Sequence, residues 1–62
     1  MVYNVNDNRI VIGGYFMEQD ESGNIHIYKK GSMEYIECID NMGVMPFDEF
    51  KCRCNQWLIE NR

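Results

Sequence analysis

The chain has 62 residues, a formal net charge of -4 and a pI near 4.7, so we read residues 1–62 as a single small domain with one core. Hydrophobic residues make up 45 % and aromatic residues 13 %, which excludes a disordered tail, and no apolar run approaches the ~20 residues of a membrane span. The acidic balance opposes direct nucleic-acid binding, which draws on Lys and Arg at phosphates, but suits a basic protein partner, including a nucleic-acid-binding one.

Val2-Tyr3-Asn4-Val5 reads as a short strand and Asn6-Asp7-Asn8 as a turn. Arg9 to Met17 is β-branched and aromatic on both alternating faces, the pattern of one central strand, with Gly13-Gly14 as a bulge, a bend or a close backbone approach inside it. Residues 20–24 form a polar loop, and Ile25-His26-Ile27-Tyr28 alternates as the returning strand. The expected sheet is therefore a hairpin or three-stranded antiparallel meander over residues 2–30.

Ser32 is a candidate N-cap. Over Met33–Met42 the helical period gathers Tyr35, Ile36, Cys38, Ile39 and Met42 on one side and Glu34, Glu37, Asp40 and Asn41 on the other. The strand period mixes apolar and charged residues on both faces. The spacing thus predicts a first helix at about 33–42, stopped by Gly43; a further strand at 33–39 is the alternative. Pro46 suits a first helical position, and Asp48 and Glu49 favour a helix start. Phe47, Phe50, Cys54, Trp57 and Leu58 then recur on one stripe, predicting a second helix at about 46–60 whose stripe anchors the core. The expected fold is α+β, a small antiparallel sheet packed against two C-terminal helices.

No motif equips this chain for catalysis, and no cofactor or metal is expected. Cys38, Cys52, Cys54 and His26 are zinc-competent residue types, but Cys52 and Cys54 on a helix project about 200° apart, unlike the paired ligands of a structural site. The expected state is two buried thiols and one partly exposed. His26 has no nucleophile at a recognisable spacing, and a chain this short has little room for a pocket of ~300 Å³. Lys29-Lys30-Gly31-Ser32 before a helix start resembles an anion site but lacks a phosphate loop's glycine pattern. The segment 36–46 between two helices has a helix–turn–helix outline, yet Asp48 and Glu49 would repel phosphate. The start of the chain carries no secretory signal pattern, and three cysteines argue for reduced thiols; a cytoplasmic protein is expected.

Surfaces carry the functional expectation. If Ile10, Ile12, Phe16, Ile25 and Ile27 face the helices, alternation sends Val11, Tyr15, Met17, His26 and Tyr28 outward, with Tyr3 extending the set. Such an aromatic, weakly charged face has the composition of an interface. The acidic row Glu34, Glu37 and Asp40, extended by Asp48 and Glu49, is the second candidate. The leading expectation is a non-enzymatic acidic module that inhibits or modulates a larger protein partner. Its model is the phage or mobile-element accessory protein that blocks a host defence or nucleic-acid-handling enzyme. A homodimeric structural or regulatory module and a small nucleic-acid-binding domain are the alternatives.

Overall fold

The computed structural model describes residues 2–6 through their backbone and residues 8–61 in full. Among these, the chain forms five strands and one helix: β1 (Val2–Asn6), β2 (Arg9–Ile12), β3 (Tyr15–Gln19), β4 (Ile25–Lys29), β5 (Tyr35–Ile39) and α1 (Phe47–Glu60). The strands form one antiparallel meander in the order β1-β2-β3-β4-β5. The helix packs on one face of that sheet, so the fold is α+β. Among the described residues, no helix is long and apolar enough to cross a membrane.

The core lies between the sheet and α1. Ile10, Ile12, Met17, Ile25, Ile27 and Ile39 come from the strands, and Phe50, Cys54 and Trp57 from the helix. Phe47, Leu58 and Tyr15 pack against them, with the Tyr15 and Trp57 rings edge-on at 5.1 Å. The helix starts behind Pro46, whose φ of -58° and ψ of 155° make it the extended residue just before the first turn. Asp48 and Glu49 lie in the first turn, where the helix dipole favours negative charge. Gln19, buried at the end of β3, ties down the segment that leads into the helix. Its Nε2 donates to the Met45 carbonyl at 2.9 Å, and its Oε1 accepts the Met45 N–H at 3.0 Å.

Three expectations are corrected. Gly13-Gly14 is not a bulge inside one strand: both glycines have positive φ (55° and 86°), and together they form a two-residue hairpin turn between β2 and β3. Across that turn Ile12 pairs with Tyr15 and Ile10 with Met17. Paired residues share a face, so the side-chain phase of 15–17 is the reverse of what one continuous strand would give. Tyr15 and Met17 therefore belong to the inner side and Phe16 to the outer.

The predicted helix at 33–42 does not exist. Gly31 (φ 94°) and Met33 (φ 57°) turn the chain back on β4, and Tyr35–Ile39 adds as the fifth strand. Sheet pairing outweighs the helical period here, because on this edge strand only Ile39 is buried and the charged residues stay in water. Ser32 consequently caps no helix; its hydroxyl accepts weakly from the Glu34 N–H at 3.4 Å. Gly43 follows a strand rather than stopping a helix. The third correction concerns the thiols: Cys54 is buried, Cys38 half-buried and Cys52 exposed.

Candidate functional site

With α1 on the inner side, no element among the described residues covers the outer face of the sheet. The strand pairing lays two continuous rows across it. In the first, Val11 pairs with Phe16, Phe16 with Tyr28, and Tyr28 with Tyr35. The backbone register sets Tyr3 of β1 opposite Val11 at the far end; its side chain is outside the described residues. The rings touch in sequence: Phe16 to Tyr28 at 6.2 Å and Tyr28 to Tyr35 edge-on at 5.4 Å. Phe16 and Tyr28 are half-buried by these neighbours, and Tyr35 remains 51 % exposed. Desolvation among its neighbours, and then the Cys38 thiol, push the Tyr35 hydroxyl above its ordinary pKa.

The second row is polar and runs Arg9, Glu18, His26, Cys38 in register. Arg9 Nε donates to Glu18 Oε2 at 2.6 Å. His26 Nε2 lies 2.8 Å from Asp20 Oδ2, and Asp20 Oδ1 accepts the Ser22 and Asn24 N–H groups at 2.9 and 3.0 Å. The His26 hydrogen bond, followed by these backbone bonds, holds the Asp20 carboxyl below its ordinary pKa. The polar groups of this row are thus engaged with one another, while the aromatic row beside it presents apolar surface.

Charge is distributed along the strands rather than in one row. The β2–β3 and β4–β5 turns share one end of the sheet, joined by the Lys30 N–H to the Gly14 carbonyl at 3.0 Å. Exposed Lys29 and Lys30 lie there, with Glu34. The other end gathers residues 20–24 and 40–46. The Asn41 N–H donates to Asn24 Oδ1 at 3.1 Å, and a Cβ on Gly23 would collide with the Gly43 carbonyl. Asp20, Glu21 and Asp40 lie at this acidic end, and the segment through Met45 leads from it into the first turn of α1, which holds Asp48 and Glu49.

The expected acidic row is accordingly dispersed. It rested on a helix that is absent, so Glu34 sits at the basic end, Glu37 on edge strand β5, Asp40 at the acidic end, and Asp48 and Glu49 in the first turn of α1. Of the expected outer set, Val11, His26 and Tyr28 lie on that face. Tyr15 and Met17 are on the core side, Met17 fully buried. The outer face also carries Phe16 and Tyr35, which the sequence reading placed inside or on a helix. Two signals could have found them: a Gly-Gly pair is a hairpin turn, and Tyr35-Ile36-Glu37-Cys38-Ile39 is rich in strand-favouring side chains.

An open groove of about 660 Å³ at the acidic end is lined by Arg9, Glu18, Gln19, Asp20, Glu21 and Val44, with Asn8. That is more room than the sequence suggested, but Arg9, Glu18, Gln19 and Asp20 are committed to the internal bonds above. Among the described residues, no three His, Cys, Asp or Glu side chains come together to hold a metal ion. Burial pushes the Cys54 thiol up to about 12, so it stays protonated and un-nucleophilic. Among the described residues no second helix precedes α1, so the partner that a helix–turn–helix reading needs is missing there. Comparison with protein-family models, characterised proteins and solved structures finds no match to this chain.

Proposed function

We propose that this chain is a non-enzymatic protein-binding module that inhibits or modulates a larger partner by docking on it through the outer sheet face. The observation that carries the reading is the aromatic row Val11–Phe16–Tyr28–Tyr35, which crosses four strands and is left open by a helix committed to the other side. Contiguous exposed apolar surface of this kind marks interaction sites, and Tyr and Phe supply their rigid anchors. The acidic end gives the partner its character: a basic surface, as nucleic-acid-handling enzymes possess. A small cytoplasmic accessory protein of a phage or mobile element, directed against such a host defence enzyme in the anti-CRISPR or anti-restriction manner, has these properties.

The test is capture from a bacterial lysate by immobilised wild-type protein and by folded Phe16→Ser and Tyr28→Ser variants. A basic protein held by wild type, released by both substitutions, and inhibited when the module is added in equal amount supports the reading. Equal capture by all three refutes the face as the contact. A homodimeric module is the second reading, in which the Phe16–Tyr28–Tyr35 row of one copy meets that of another. Aromatic rings on an open sheet also suit base stacking, and a gel shift with single-stranded DNA or RNA at low salt would favour that instead.

A further inference from the structure

The meander leaves two open edges, β1 and β5, each with backbone N–H and C=O groups directed away from the sheet. Such an edge is a template for another strand. β5 is an inviting one, because Tyr35 and Ile36 within it and Met33 just before it are all exposed. We infer that Glu37, together with the bulge beside it, closes this edge against other copies of the chain.

The strand register places the charge. Ile39 pairs with Ile25, Cys38 with His26 and Glu37 with Ile27. Paired residues share a face. Ile25, Ile27 and Ile39 are buried on the helix side, so Glu37 belongs to that side as well, yet it is exposed. Its carboxylate keeps its water because β5 is the last strand. A strand added beyond β5 would set an inward side chain beside Glu37 and close that route. The charge would then be desolvated next to Ile27, which is costly unless a cation meets it. Neither edge of another copy brings one: Val2-Tyr3-Asn4-Val5-Asn6 carries no charge, and Glu37 is the only charged residue in Tyr35–Ile39. Glu37 set opposite Glu37 would repel.

The backbone adds a second obstacle. Between β4 and β5 the register shifts at Ile27–Tyr28, which leaves Ile36 as an extra residue on β5. Between β1 and β2 it shifts at Asn4–Asn6, which leaves Val5 as an extra residue on β1. The interior pairings, β2 with β3 and β3 with β4, run in register throughout. The irregularities thus fall on the two edge strands, where a bulge twists the open side away from a flat partner. Without such obstacles, β5 of one copy laid on β1 of the next would repeat without closing and grow a filament.

Glu37→Thr and Glu37→Val test the inference, since each removes the charge and supplies a strand-favouring side chain; Glu37→Lys keeps a charge of the other sign. Sedimentation velocity from about 5 to 500 µM at neutral pH, with circular dichroism as the check on folding, compares the three with wild type. Glu37→Thr and Glu37→Val should stay folded and self-associate at least about tenfold more strongly than wild type, and Glu37→Lys no more than wild type. Hydrogen exchange of the associated variants should slow further at the backbone amides of residues 35–39. Uncharged variants that associate no more than wild type overturn the inference, as does a Glu37→Lys variant that associates as strongly as they do. Association with no added protection at residues 35–39 also overturns it, because the contact then lies away from this edge.

Discussion

Gln19→Ala should come close to unfolding this domain, although it removes a polar side chain from the end of a strand. Gln19 is 4 % exposed, and both ends of its amide bond the Met45 backbone, at 2.9 and 3.0 Å. Removing it breaks two buried hydrogen bonds and strands the Met45 N–H and carbonyl. At ~1–3 kcal/mol for each of the two stranded groups, the expected loss is about 2–6 kcal/mol. A domain of this length holds roughly 3–9 kcal/mol in all. Urea unfolding followed by Trp57 fluorescence and far-UV dichroism would read the loss as a fall in midpoint at unchanged slope. Gln19→Glu sharpens the test. At neutral pH the introduced carboxylate faces the Met45 carbonyl, lacks the donor and is destabilising. Once protonated it regains a donor, so its folded-state pKa is raised and stability returns as pH falls through that value. A Gln19→Ala midpoint within error of wild type, or a Gln19→Glu variant that recovers nothing in acid relative to wild type, would refute the clamp.

Trp57→Ala should cost about 3–5 kcal/mol and leave little folded protein by dichroism. Trp57→Phe should be milder than most large core changes, because the buried indole Nε1 has no hydrogen-bond partner to lose; a loss as large as that of the alanine variant would contradict this. Asp20 has a folded pKa below its unfolded value, so the stability it contributes is present above about 4, the ordinary carboxylate value, and is lost as pH falls through the depressed one. Asp20→Asn should flatten the wild-type decline in melting temperature over that acidic window. Iodoacetamide at pH 8 should label exposed Cys52 readily and leave Cys54 unmodified until the protein unfolds, as peptide mass spectrometry would show.

The two halves of the chain were not equally legible. The stretch 46–60 carries its own period: Phe50, Cys54 and Trp57 recur on one stripe, and those three are buried. Pro46 and the acidic first turn mark its start to within a residue. The sheet was harder because strand phase is set by counting from turns, and one misread turn inverts everything after it. Reading Gly13-Gly14 as a bend placed Tyr15 and Met17 outside and Phe16 inside, while Ile25 and Ile27, which follow the unambiguous loop 20–24, were placed correctly. The error at 33–42 has a different origin. An edge strand with one buried residue imposes almost no alternation, so its sequence is free to show an accidental helical period. Tyr35 was hidden by that freedom, since nothing local shows that it completes a row begun at Val11.

The sheet itself separates the core from the aromatic row. A helix of 14 residues is about 21 Å long, close to the width of five strands, so α1 can cover one face and no more. Every large side chain that the helix reaches, from Ile10 and Met17 to Trp57, is committed to the core. The opposite face carries rings of the same chemistry but has no second layer among the described residues. Their retention on an open surface is costly for a domain this small, because exposed aromatics invite unspecific association. The polar row beside them is internally bonded, Arg9 to Glu18 and His26 to Asp20. The aromatic row is therefore bordered by fixed, satisfied groups rather than by loose charge, and the proposed docking on this face would set an apolar centre within a polar rim.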